Sequence, residues 1–184
     1  VLTDHEKIVR GNFDAYIQEI AESAKKIGFP LAAGMEIAAE GERGHALAYG
    51  LNGQMDSSLL PADYQYACQA LIDQINRLAP GSSFAVLAHP YSSAVWQDIT
   101  FNHGFQAMEI ASGGAINDQA FAEWMRRLRS GERITALGSS DCHLGYPDGM
   151  TYLYIPDYSR TDFNPVFKAI RMGRASVSEK GNLA

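Results

Sequence analysis

Short apolar runs alternate with amphipathic stretches along almost the whole chain, and most runs stop at or beside a residue that carries chemistry. Leu31 to Ile37 holds Glu36 near its end, and Phe84 to Ala88 delivers His89-Pro90. Pro90 has no N–H to continue a ladder, so that strand is expected to end at the histidine. Ala107 to Ala111 contains Glu109, and Ala136-Leu137-Gly138 runs through Ser139-Ser140 into Asp141-Cys142-His143. His45 to Leu51 is the inverse case, with the imidazole at its start. Between these runs, Phe13, Ile17, Ile20, Ala21, Ala24 and Ile27 recur at helical spacing, and Gly28 before Pro30 suits a helix stop. A second helix follows Pro61, with Tyr64, Ala67, Cys68, Leu71, Ile75 and Leu78 on one face and a stop at Pro80-Gly81. Phe121, Trp124, Met125 and Leu128 mark a third, and Phe163 to Met172 a fourth, with Gly173 as its cap. Tyr152 to Ile155 adds a short strand. Such alternation predicts βα units in a parallel sheet with helices outside, either open or closed as a barrel.

The chain of 184 residues is read as a single domain spanning 1–184, long enough for a substantial core. Its net charge of −6 argues against a broad nucleic-acid-binding surface, and no apolar run is long enough to span a bilayer. An anionic substrate stays admissible, because bound cations reverse a local field. Val1-Leu2-Thr3-Asp4-His5 shows no leader pattern. Cys68 and Cys142 are far apart and make a poor disulfide framework, which favours a reducing, cytoplasmic setting. Both are read as ordinary small residues rather than nucleophiles.

His5, Glu36, His89, Asp141 and His143 fall at the C-terminal ends of expected strands, and His45 opens one. In parallel α/β architectures those ends face one crevice. On an extended backbone Asp141 and His143, two apart, would point to one face. A lone histidine at a strand end is more often a hydrogen-bonded, half-buried side chain than a ligand. Four histidines with two carboxylates on one rim reverse that reading, since so many ionisable groups are hard to gather without a cation. Oxygen and nitrogen donors of this kind suit Zn, Mn or Fe.

Thr3-Asp4-His5, Gly34-Met35-Glu36-Ile37, Gly44-His45, Ala88-His89-Pro90 and Gly138-Ser139-Ser140-Asp141-Cys142-His143 resemble, in order, motifs of the PHP (polymerase and histidinol phosphatase) superfamily. Gly173 to Ser178 is similar to that family's C-terminal segment. The resemblance implies a distorted (β/α)7 TIM-like barrel with up to three divalent metals at its C-terminal rim. It implies Glu36 bridging two metals, Asp141 on one of them, His45 and His89 on the other, and His5 and His143 sharing a third. It also implies an initial His-x-His strand; nothing here precedes Val1, so the chain reads as the downstream portion of a longer protein.

The chemistry such a site supports is hydrolysis by a metal-activated water, with no protein nucleophile. No nucleophile elbow, P-loop or dinucleotide-binding glycine fingerprint is present. The resemblance points to a metal-dependent phosphoesterase acting on a small-molecule phosphomono- or phosphodiester, with Glu36, Asp141 and His143 as catalytic residues. Hydrolysis of carbamate or carboxylic esters is the alternative within the superfamily, and a non-catalytic structural or regulatory module the alternative outside it. Arg43, two residues before His45 in a glycine-flanked loop, is the candidate phosphate contact, against the plainer reading of a solvated arginine. Arg174 is a weaker candidate. Glu109 reads equally as a support to the site or as a buried carboxylate with a backbone partner. His103 is expected at the surface, and Trp96 and Trp124 in the core, with Trp96 a candidate pocket wall.

Overall fold

A computed structural model describes residues 1–38, 44–78, 83–91, 103–143, 150–156 and 162–178. Arg43 and Trp96 lie outside the described residues. Nine strands and five α-helices follow one another in these segments. They are β1 Leu2–His5, α1 Glu6–Val9, α2 Phe13–Ile27, β2 Ala33–Ala38, β3 His45–Tyr49, α3 Tyr64–Leu78 and β4 Phe84–Leu87. Then come β5 Ala107–Ser112, β6 Ala115–Ile116, α4 Asp118–Arg129, β7 Thr135–Gly138, β8 Met150–Leu153, α5 Asn164–Arg171 and β9 Ala175–Ser178.

The (β/α)7 barrel expected from the resemblance is not what forms. Seven strands make one mixed sheet, ordered β1-β2-β3-β4-β5-β6 with β7 beside β5, while β8 and β9 pair separately. β1/β2, β4/β5 and β5/β7 are parallel, but β3 runs antiparallel to both β2 and β4. β2 ends at Ala38 and β3 begins at His45, and the antiparallel pairing of the two replaces the crossover that a parallel neighbour would need. Among the described residues, β1 and β7 do not pair, and the sheet does not close on itself.

Both faces of the sheet are covered, which is why its strands read as continuous apolar runs rather than alternating ones. On one face Met35, Ile37, Ala46, Ala48, Ala85, Leu87 and Met108 pack with Ala67, Cys68, Leu71, Ile72 and Ile75 of α3. On the other, Leu47, Phe84, Val86, Ala107 and Leu137 pack with Phe167 and Ile170 of α5. The α2 face is narrower than its sequence suggests: Phe13 and Ile20 are buried, but Ile27 is 61% exposed. That helix ends as expected at Gly28, whose φ of 66° is left-handed and whose N–H bonds Ala24 O. Gly34 lets β1, β2 and β3 approach closely, because a Cβ there would stand 2.6 Å from Ala48 O.

The strip carrying β1 is pinned by one phenol. Tyr16 Oη accepts from Asp4 N at 3.3 Å and lies 3.2 Å from Leu2 O and 3.3 Å from Gly34 O. On the opposite side, Thr151 Oγ1 accepts from Gly138 N and bonds Gly138 O, tying β7 to β8. No described helix is long and apolar enough to cross a membrane.

Candidate metal centre

The reversed strand builds the centre. In the parallel β1/β2 ladder His5 stands opposite Glu36, and in the antiparallel β2/β3 ladder Ala38 stands opposite His45. Glu36 and Ala38 share a face, so His45, at the first position of β3, is the diagonal neighbour of Glu36. β3 pairs with β4 through Ala46 and Leu87, and Ala88 N bonds His45 O at 3.2 Å, which carries His89 to the same rim. An imidazole at the start of a strand meets those at strand ends because that strand alone among these four runs the other way.

Glu36, 7% exposed, is the hub. Its Oε1 is 2.6 Å from His45 Nδ1 and 3.2 Å from His89 Nε2, and its Oε2 is 3.7 Å from His5 Nε2. His45 Nδ1 and His89 Nε2 are 3.3 Å apart. One donor atom from each of Glu36, His45 and His89 lies within 4.8 Å of the others. Burial alone would raise the Glu36 pKa, but hydrogen bonds with His45 and His89, and the fields of His45 and His5, outweigh it and hold the carboxyl below its ordinary value. For His89, burial favours the neutral ring, yet the bond to Glu36 and the charges of Glu109, Glu36 and Asp141 leave the net shift upward.

Asp141 and His143 sit differently. β7 ends at Gly138, Asp141 takes a φ of 46°, and the segment is no longer extended. Alternation along a strand therefore does not set their directions. His143 Nδ1 is 3.1 Å from Asp141 O and 3.7 Å from Asp141 Oδ1, and both side chains are exposed. The His143 and His5 rings are 5.9 Å apart between centroids, and those of His5 and His45 5.7 Å. The six sequence-selected residues thus form a tight group of Glu36, His45 and His89, with His5 against it and Asp141 and His143 at the outer edge.

Beside them lies a cavity of about 570 Å³. His5, Glu36, His89, Asp141 and His143 line one part of it, and Leu47, Tyr49, Leu137, Val166 and Ile170 another. Glu109 also faces it, 3% exposed, with Oε2 accepting from His89 N at 2.8 Å. Burial raises the Glu109 pKa, opposed by bonds from the Ser139 side chain and the His89 amide, and the net shift is upward. Cys142 is exposed, whereas Cys68 is buried in the α3 face with its thiol pushed up to about 12 by burial. Trp124 packs against the core and donates Nε1–H to Ile134 O at 2.9 Å, and His103 is exposed beside Glu132. Arg174 is held by its backbone, its N–H donating to Ala169 O at 2.9 Å and its carbonyl accepting from Tyr154 N at 3.0 Å, and it does not line the cavity.

A mixed open sheet with carboxylate and imidazole donors gathered at one rim defines the class to which comparison is apt. The chain is similar in fold to a two-domain protein from Bacteroides vulgatus containing a predicted PHP-like metal-dependent phosphoesterase, with a TM-score of 0.66 and 20% identity. The similarity covers 97% of this chain and 55% of that one, so this chain spans about half the neighbour's length. No family model and no curated protein matches the sequence.

Proposed function

We propose that the chain is a metal-dependent phosphoesterase that hydrolyses a small-molecule phosphoester. The observation carrying this reading is the convergence of one oxygen and two nitrogen donors, from Glu36, His45 and His89, within 4.8 Å, with Glu36 and His89 lining a cavity of about 570 Å³. The donor chemistry fits a divalent Zn, Mn or Fe ion, since neutral imidazoles and a carboxylate are their common ligands. The low Glu36 pKa keeps that ligand ionised, the form a cation requires. The fold shared with the Bacteroides vulgatus protein supports the same reading.

Glu36, His45 and His89 would hold an ion, with His5 at hand on the far oxygen of Glu36. When bound, such a group supplies Lewis-acid polarisation of the ester and activation of water. The chain's own residues do the rest. Asp141 and His143 are the outer groups, and a carbonyl oxygen can only accept, so the 3.1 Å contact with Asp141 O puts the His143 proton on Nδ1. Nε2 is then an acceptor, the atom that can take the proton of the attacking water and afterwards pass it to the leaving alkoxide. Leu47, Leu137, Val166 and Ile170 give the cavity an apolar wall against which the rest of a substrate could pack.

One observation favours a second reading, hydrolysis of carbamate or carboxylic esters. Among the described residues lining the cavity there is no lysine or arginine to meet a phosphate. A panel of phosphomonoesters, phosphodiesters, carbamates and carboxylic esters, assayed after chelation and after Mn2+ or Zn2+ reloading, tests both. Metal-restored turnover of a phosphoester that is lost in His89→Asn supports the proposal. Turnover confined to carbamates or carboxylic esters selects the second reading, and none at all favours a non-catalytic module.

A further inference from the structure

Three adjacent parallel strands, β4, β5 and β7, end at the site, and the central one carries a buried carboxylate. Glu109 accepts from the His89 main-chain N–H at 2.8 Å on the β4 side and from the Ser139 side chain on the β7 side. His89 is the first residue beyond the buried run that ends at Ala88, Ser139 is the first beyond β7, and each opens a segment that carries candidate ligands. Both segments turn sharply. His89 has a φ of 22° and Asp141 a φ of 46°, the only described residues other than glycine with positive φ. Such conformations persist in non-glycine residues only where surrounding contacts hold them. Glu109 is 3% exposed, so water does not replace those contacts.

We infer that Glu109 is a positioning residue, which clamps the His89 corner to the Ser139–His143 segment and so sets the spacing of the metal-binding side chains. This rests on the metal-dependent reading above. Glu109 need not touch the ion: it acts on His89 through the backbone and on Asp141 through Ser139. Carboxylates that orient ligands in this way alter metal affinity when removed, even though they coordinate nothing.

The test is calorimetric titration of Mn2+ and Zn2+ into the wild-type chain and Glu109→Ala, Glu109→Gln and Ser139→Ala, with melting of each metal-free protein. Glu109→Ala is expected to bind roughly 10–100-fold more weakly. Glu109→Gln, whose amide oxygen can accept the same His89 N–H, is expected near wild type. Ser139→Ala loses one of the two arms and is expected to weaken binding by roughly 2–10-fold, with little change in the metal-free melt. Hydrogen exchange at the His89 amide gives a readout without metal, slow in wild type and Glu109→Gln and fast in Glu109→Ala. Should Glu109→Ala fail to fold, Ser139→Ala and Glu109→Gln still decide the matter. Wild-type affinity in both alanine variants would overturn the inference, as would a loss in Glu109→Gln equal to that in Glu109→Ala. A wild-type chain that binds neither ion would overturn the metal reading, and this inference with it.

Discussion

Two buried charge clusters in the molecule look alike in composition and differ in completeness. On α4, Arg127 is fully buried, and its Nε donates to Glu123 Oε1 at 2.7 Å and its Nη1 to Glu132 Oε1 at 3.1 Å. Arg126 adds a two-pronged contact to Glu123 at 2.6 and 2.7 Å. Two guanidinium groups and two carboxylates close the formal charge, and the cations cannot be lost, because arginine does not deprotonate in proteins. The rim cluster has one carboxylate and three imidazoles, and ring nitrogens from two of them crowd the same oxygen. Protons or a cation must sit among those lone pairs. The first cluster carries its counter-charges within itself; the second leaves that place to protons or, on the function proposed above, to a metal ion. Burial of charge alone therefore does not mark a site, whereas convergence of acceptors does.

Breaking the closed cluster should have the largest effect on stability. Arg127→Ala leaves both Glu123 and Glu132 without the buried cation they share and is expected to destabilise the fold by about 3–5 kcal/mol, measured by denaturant unfolding. Metal affinity per folded chain should not change. Breaking the open cluster should do the reverse. Glu36→Gln is expected to abolish the rise in melting temperature that saturating Mn2+ or Zn2+ produces in wild type, a stabilisation of about 2.7 kcal/mol at a hundred times Kd. In metal-free protein the same substitution should change stability far less than Arg127→Ala does.

The sequence carried this contrast only in part. The strand positions were legible: Glu36, His45, His89 and the run before Asp141 all stand where the apolar runs place them. Strand direction was not. An apolar run of four or five residues reads the same both ways, so the reversal of β3 and the open, mixed sheet could not be seen. The α1 turn and two-residue β6 are too short to show a period. Asp141 and His143 were expected on one face of a strand, but β7 ends before them and the left-handed Asp141 turns the chain. Arg127 gave no signal in the sequence, since Glu123 and Arg127, four apart, have the spacing of an ordinary helical ion pair. Only the packing of α4 against β5 and the residues around it shows the arginine to be buried. Glu109 was visible as a strand-end carboxylate, but its grip on two neighbouring strands depends on sheet order.

The closed cluster also sharpens the comparison through pH. Burial would raise the Glu123 pKa, but hydrogen bonds from Arg126 and Arg127 and their fields bring it below its ordinary value. A depressed folded-state carboxylate contributes stability that is present above the unfolded value of about 4.3 and is lost as pH falls through the folded one. The melting difference between wild type and Glu123→Gln should therefore shrink on going from pH 7 to pH 3. A difference that grows over that range would contradict the assignment. The smallest effect belongs to the exposed fringe of the same cluster. His103→Ala removes a pair 3.3 Å from Glu132 with the ring 59% exposed, and unfolding should shift by no more than about 0.5 kcal/mol.

The central claim is that Glu36, His45 and His89 are assembled to hold a cation. Its most direct measurement is divalent metal content per chain, by elemental analysis, after loading wild type and Glu36→Gln with Mn2+ or Zn2+ and desalting. The account predicts at least one retained ion per wild-type chain and loss of that ion in Glu36→Gln, with both proteins folded. No retained ion in wild type, or equal retention in the two, would contradict it.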